Sequence, residues 1–350
     1  MAPNAKRVFY VKYLSSPLYA QILAQRPDIL LDRLENESPD DVVTPILSAA
    51  HVYQIGASRQ VIAPHFQVST ALLQRLPNLV AVSSNGAGYD TVDVDACTAQ
   101  GIAVVNQSGG NKEGVAEHAL AMMLTLSKRI IETDRRMRAG PGIPRNQYIG
   151  RELLNRTVGV IGIGNVGSRV AELCRGLFNM RVLAYDPYLT AAQISARGGE
   201  KVELEELLRS ADYVSVHCPL TRESRGMIGA AQFALMRPDA WFITTARGFI
   251  HDEGALADAL ASKRIAGAGL DVWEDEPPPH DHSLLKFDNV LVSPHTAGAT
   301  EESRENMARF AAEQVLDIFD AKRPPRLVNP EVWPAYRERF GQIMGFAPAE

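Results

Sequence analysis

The sequence predicts an α/β chain made of two doubly wound parallel-sheet domains with a cleft between them. Three observations carry that prediction. Between residues 158 and 186 a strand, a glycine turn, a helix and a second strand ending in an acid follow one another. Apolar strand-like runs alternate with helical stretches on both sides of that segment. At 350 residues the chain has room for more than one core, so two domains are expected.

Val158, Val160, Ile161 and Ile163 form a charge-free apolar run, as in a strand buried on both faces of a parallel sheet. Gly162, Gly164 and Gly167 stand in G-x-G-x-x-G spacing. The first permits a tight turn, the second lets backbone approach a pyrophosphate, and the third lets the helix pack closely on the strand. A helix over 165–178 aims its N-terminal N–H groups at that pyrophosphate. The strand over 181–185 ends in Asp186, at the expected spacing of roughly 20 residues past the turn. A carboxylate there accepts hydrogen bonds from both ribose hydroxyls and repels a 2′-phosphate. A Rossmann-like site for NAD rather than NADP is therefore expected.

Before this motif, strands are expected at 6–14, 52–55 and 79–83, and helices at 17–24, 40–50 and 69–75. Asn85, Gly86, Ala87 and Gly88 form a small-residue loop after a strand, suited to holding a carboxylate on backbone N–H groups. Asp90, Asp93 and Asp95 stand where a helix begins and read as first-turn acids, not metal ligands. One long helix is expected over 113–138, with Val115, Leu120, Met123, Leu124, Ile130 and Ile131 on a buried stripe. His118 on it reads as a satisfied histidine and not a ligand. Residues 139–150 break the helix.

After Asp186 the rhythm continues. Helices are expected at 204–208, 233–235, 253–262 and 301–320, and strands at 213–216, 241–244, 268–272 and 290–292. The tail from Lys322 reads as proline-rich and polar. Each strand is followed by a polar cluster, and in open parallel sheets that edge binds ligands.

The totals exclude several classes. A net charge of −5 gives no polybasic footprint for nucleic acid or anionic membrane. Cys97, Cys174 and Cys218 are far apart and lack C-x-x-C spacing, which argues for a reducing compartment without zinc or disulfides. The apolar run at 8–11 is too short for a signal peptide, and no run approaches a membrane span. A cytoplasmic protein is expected. His280 and His282 read as a solvated loop, since spacing supplies no third metal ligand.

Three charged groups stand on the strand ends: Arg247 in TTARG, Glu276 in DVWEDEP and His295 in SPH. Hydride transfer to a 2-keto acid needs a planar fork for carboxylate and carbonyl, which Arg247 can supply. It needs an acid/base near neutral pH, which suits His295. It also needs a carboxylate to hold that imidazole protonated, which suits Glu276.

With those residues, the chain resembles the NAD-dependent D-isomer-specific 2-hydroxyacid dehydrogenases, which include D-3-phosphoglycerate dehydrogenase and glyoxylate/hydroxypyruvate reductases. The resemblance covers about residues 50–330. It rests on NGAGYD, VGVIGIGNVGSRVA, YDP, HCPLT, TTARG, GLDVWEDEP and SPHTAG. It implies that Arg247, Glu276 and His295 are the substrate arginine and the Glu–His relay. It implies that Gly162, Gly164, Asn165, Val166, Gly167, Asp186, Cys218, Pro219, Thr245, Ala246, Asp271 and Gly298 line the cofactor. It further implies a discontinuous, flavodoxin-like substrate-binding domain of residues 1–109 and 302–350. The NAD-binding domain of residues 110–301 is inserted between, and a homodimer joins through the long helix.

Two features depart from the family pattern. Asn155–Arg156–Thr157 replaces the usual Gly-Lys-Thr, and asparagine tolerates the left-handed backbone such a turn needs. With so short a tail, the regulatory domain that some phosphoglycerate dehydrogenases carry is not expected. Arg59, in the first domain's strand-end loop, either pairs with a substrate phosphate or is a surface residue. Candidate substrates are 3-phosphoglycerate, hydroxypyruvate and glyoxylate. The alternatives are an NAD-sensing, corepressor-like binding protein on the same fold, and a formate or phosphite dehydrogenase.

Overall fold

The computed structural model describes residues 5–142 and 144–348. It forms two compact units. One comprises the chain up to Asn111 together with the chain from Thr300 onward, and the other runs Lys112–Ala299.

The first unit holds strands β1 (Lys6–Val11), β2 (Ile29–Leu34), β3 (Val52–Gly56), β4 (Ala81–Asn85) and β5 (Ala103–Val105). They lie in the order β2-β1-β3-β4-β5, all parallel. The expected strand at 79–83 forms two residues later. Strands β2 and β5 were not expected. The order reverses beside β1, so Tyr13, after β1, and the loop after β3 flank the switch point. A Cβ placed on Gly56 would lie 3.5 Å from the Tyr13 hydroxyl.

The second unit holds β6 (Thr157–Ile161), β7 (Arg181–Tyr185), β8 (Glu200–Lys201), β9 (Tyr213–Val216), β10 (Trp241–Thr244), β11 (Gly267–Leu270) and β12 (Val290–Val292). Their order is β12-β11-β10-β9-β6-β7-β8, again all parallel. The glycine turn follows β6 at the reversal between β9 and β7, the position at which doubly wound sheets bind ligands. Strands β6, β9, β10 and β11 are almost wholly buried, which explains their uninterrupted apolar runs. Strand β11, Gly-Ala-Gly-Leu, keeps its surface low. A Cβ on Gly269 would come within 3.1 Å of Met122 on the helix Lys112–Ser127.

The single long helix is not formed. The chain makes Lys112–Ser127, then breaks, then makes Ile130–Ala139. Arg129 at the break is left-handed, with φ 55°. Its guanidinium donates to the Glu132 carboxylate at 2.7 and 2.6 Å and to Gln147 O at 2.8 Å. These bonds hold a turn that local propensity alone opposes. Only the first helix is buried, and it packs against the helix Asn165–Phe178. The second has no buried residue. Ile130, expected on the buried stripe, is half exposed, and Met137 is 70% exposed. Ile143, in the segment expected to break the helix, lies outside the described residues.

The tail also differs from expectation. Residues Trp333–Met344 form a helix that buries Trp333, Tyr336 and Phe340 in the first unit's core. Asn155 takes φ 58°, the left-handed turn its amide side chain permits. Asp93 caps the helix Val94–Ala99 by accepting the Ala96 N–H at 2.9 Å. His282 is not solvated. Its Nε2 lies 3.0 Å from Glu253 Oε2 and its Nδ1 accepts the Leu284 N–H. Among the described residues, no helix is long and apolar enough to cross a membrane.

His251 yields a stability prediction. It is buried against Phe242, and neither ring nitrogen has a hydrogen-bond partner among the described residues. Burial pushes its pKa down to about 4, so the folded chain holds it neutral. The unfolded chain binds this proton from about pH 6.5 downward. Its stability contribution is therefore complete above that pH and is lost as the pH falls towards 4. Between pH 7 and pH 5 the loss is about 2 kcal/mol. Urea unfolding of His251→Phe at those two pH values should show a smaller difference than the parent by that amount. Equal slopes would remove His251 from the acid response.

Candidate active site

The site in the second unit is assembled from the loops that follow six adjacent strand ends. The loop after β6 carries the three glycines. Gly162 has φ +85°, and a Cβ there would meet Cys218 N at 2.6 Å. The turn after β6 thus touches the His217–Cys218–Pro219 loop after β9. A Cβ on Gly167 would overlap Gly162 O, so the helix seats directly on the turn. Gly164, by contrast, faces open space. It is the N-cap of Asn165–Phe178, and no acid stands in that first turn to satisfy the helix N–H groups. An uncapped helix N-terminus over an open glycine fits a pyrophosphate. At the end of β7 the Asp186 carboxylate is fixed by N–H groups, from Ile163 at 3.3 Å and from Tyr188 at 3.1 Å.

The loops after β10, β11 and β12 bring the three charged candidates together. Thr245 and Ala246 are buried at the end of β10, and Arg247 Nη1 donates to Ala246 O at 2.7 Å. A Cβ on Gly248 would overlap Trp273 O, so the β10 and β11 ends approach as closely as backbone allows. Glu276 Oε1 accepts the Trp273 N–H at 3.2 Å. Its Oε2 lies 2.8 Å from His295 Nδ1. Burial alone raises the Glu276 pKa. The hydrogen bond and charge of His295, the Trp273 N–H and the charge of Arg247 outweigh it, and hold the carboxyl below its ordinary value. Glu276 is therefore an anion at neutral pH. With Nδ1–H directed at that anion, Nε2 is the nitrogen that can carry a mobile proton.

His295 sits at φ 56°, left-handed and unusual for a residue with a Cβ. The surrounding bonds impose it. His295 N donates to Asp271 O at 2.7 Å, and Thr296 N and Ala297 N donate to the Asp271 carboxylate at 2.8 and 3.0 Å. Asp271 is fully buried and serves this loop. Gly298 lies three residues past His295. No local signal in the sequence marks Trp273 or Ser293, although both stand inside the DVWEDEP and SPH motifs.

The remaining candidates lie in the first unit. The Asn85–Gly88 loop turns through Gly86, at φ +132°. Gly86 N donates to Gln107 Oε1 at 2.8 Å and is not available to a ligand. Ala87 and Gly88 use their carbonyls, as acceptors for Asn106 Nδ2 and Ser84 Oγ. Their N–H groups have no acceptor among the described residues. Arg59 Nε donates to Asp90 O at 2.6 Å.

The chain is similar to several known proteins. The family model described as D-isomer specific 2-hydroxyacid dehydrogenase, NAD binding domain, matches residues 120–297. The chain belongs to the D-isomer-specific 2-hydroxyacid dehydrogenase family. It carries the family's NAD-binding domain on the seven-stranded sheet. It is 39% identical over 276 residues to a D-3-phosphoglycerate dehydrogenase of Archaeoglobus fulgidus, covering 79% of this chain and 52% of that one. The chain thus spans about half the length of that relative. It is 39% identical over 268 residues to a glyoxylate reductase of Korarchaeum cryptofilum, covering 76% of this chain and 80% of that one. Among solved structures, a D-lactate dehydrogenase of Aquifex aeolicus complexed with NAD and lactic acid matches with TM-score 0.76 and 28% identity. That match covers 92% of this chain and 98% of the other.

Proposed function

We propose that this member of the family is an NAD-dependent D-2-hydroxyacid dehydrogenase that interconverts a small 2-keto acid and its 2-hydroxy acid. The observation that carries the reading is the Glu276–His295 contact of 2.8 Å beside Arg247, on the strand ends that also carry the glycine cradle. The nicotinamide cofactor, when bound, supplies the hydride to C2 or takes it back. Arg247 holds the substrate carboxylate and carbonyl as a fork. His295 Nε2 gives its proton to the carbonyl oxygen in reduction and recovers it in oxidation. Glu276 holds the ring by Nδ1 and presents its negative charge to it. Within the first unit taken by itself, the Ala87 and Gly88 N–H groups suit a carboxylate and Arg59 suits a phosphate. Asp186 selects NAD by repelling a 2′-phosphate.

We also propose a homodimer. The exposed Ile130 and Met137, seven residues apart on one helix, and the exposed Ile149 support it, since large apolar side chains left in water are what a partner would cover. A cytoplasmic location fits the free thiols, with Cys97 and Cys174 pushed up to about 12 by burial.

The test is NADH oxidation with glyoxylate, hydroxypyruvate and phosphohydroxypyruvate, each repeated with NADPH. At least one keto acid should turn over, and NADH should be preferred. Tight NADH binding with no turnover of any keto acid would replace this reading by that of an NAD-sensing protein.

A further inference from the structure

We propose that His118, on the helix Lys112–Ser127, is a positioning residue for His295, acting through Ser293 and Asp271. The inference rests on the acid/base role proposed above for His295. His118 Nε2 lies 3.0 Å from Ser293 Oγ. Ser293 Oγ in turn donates to Asp271 Oδ1 at 2.6 Å. A serine hydroxyl has one proton, and here Asp271 receives it. The imidazole must therefore be the donor to Ser293 Oγ, so His118 carries its proton on Nε2. The same nitrogen is 3.8 Å from Asp271 Oδ1. A directed chain of donors thus runs from His118 to Ser293 to the buried carboxylate.

That carboxylate organises the candidate acid/base. Asp271 accepts from Thr296 N and Ala297 N, and its carbonyl accepts from His295 N. Ser293 stands two residues before His295. Its carbonyl accepts the Trp273 indole N–H at 3.1 Å, and its N–H donates to Leu270 O at 2.9 Å. The 293–297 segment is therefore clamped on one side by β11 and on the other by His118. The helix bearing His118 is a firm base, because Met122, one turn further on, packs on Gly269 of β11. The left-handed φ of His295 requires such over-determination, since that backbone is strained for a residue with a Cβ. Without the His118 donor, Ser293 Oγ loses its second partner and the serine can rotate. The loop then keeps its bonds to Leu270, Asp271 and Trp273 but loses its clamp on the helix side, and the imidazole is held less firmly for proton transfer.

The experiment compares His118→Leu, His118→Gln, Ser293→Ala and the double variant His118→Leu/Ser293→Ala with the parent in keto-acid reduction. Misplacing a reacting group by a fraction of an ångström lowers rate, so His118→Leu and Ser293→Ala should each lower kcat about 10-fold to 100-fold. The KM for NADH should stay within about twofold, because Asp271 keeps its Thr296 and Ala297 partners and the glycine turn and Asp186 are untouched. Glutamine places an N–H near the position of Nε2, so His118→Gln should recover kcat to within about threefold of the parent. The double variant should fall no further than the worse single one, as for two members of one chain. Unchanged kcat in His118→Leu, failure of glutamine to rescue, or additive losses would each overturn the relay. His295→Gln, assayed in parallel, separates the two readings. If it is inactive while His118→Leu is fully active, only the relay falls. If His295→Gln retains full turnover, both fall.

Discussion

Replacing His295 by glutamine should lower kcat for keto-acid reduction roughly 100-fold to 10,000-fold, the range that general acid–base catalysis contributes. Glutamine is close in size, and its amide can still donate to Glu276. It cannot carry a proton that is released and recovered near neutral pH. The loss should fall on kcat and not on cofactor affinity, because the glycine cradle and Asp186 are held by contacts that exclude His295. NADH titration by fluorescence quenching and steady-state assay on the same preparation would read both. Turnover equal to the parent would sink the assignment of His295. A matched loss of NADH affinity would point instead to collapse of the 293–297 loop.

The second large effect is expected at Gly248. Its φ lies outside the left-handed region, so backbone strain is not the issue. The obstacle is space, because an added Cβ would overlap the Trp273 carbonyl. Backbone atoms of a buried sheet edge cannot step aside as a flexible side chain could. Gly248→Ala should therefore force the β10 and β11 ends apart and destabilise the second unit by about 1–3 kcal/mol, the usual range for overpacking. The same displacement separates Arg247 from the loop that carries Glu276. Activity should then fall well beyond the loss of folded protein. Thermal unfolding and kcat measured below the melting transition distinguish these effects. A parent-like Tm together with parent-like kcat would show that the edge can open without consequence.

Much of this architecture was legible in the residues alone, and the parts that were not have identifiable causes. The strands at 213–216, 241–244 and 290–292 stand where their apolar runs lie, because strands covered on both faces need no alternation. The clustering of Arg247, Glu276 and His295 was readable because each follows such a run, and parallel strands bring their ends to one edge. The break at Arg129 was not readable. Lys128 and Arg129 are ordinary helix formers, and the turn depends on the Glu132 and Gln147 contacts of Arg129, which only the folded chain supplies. The helix Trp333–Met344 was hidden by the prolines around it, although Trp333, Tyr336 and Phe340 keep helical spacing. In the 85–88 loop, composition suggested a row of donors. It could not show that Gln107 already takes the Gly86 N–H. His118 is a lone histidine on an apolar helix, and no local pattern marks its link to Ser293 across 175 residues.

The way the loops hang from β11 has a mechanical consequence. Trp273, whose N–H holds Glu276, and Asp271, which gathers the N–H groups of His295, Thr296 and Ala297, lie two residues apart just beyond one strand. The two halves of the proton-handling pair thus share a single anchorage. A displacement of that strand carries both along, and their 2.8 Å separation is carried with them. Rearrangement elsewhere in the chain leaves that separation as it is, so the pair travels as one body.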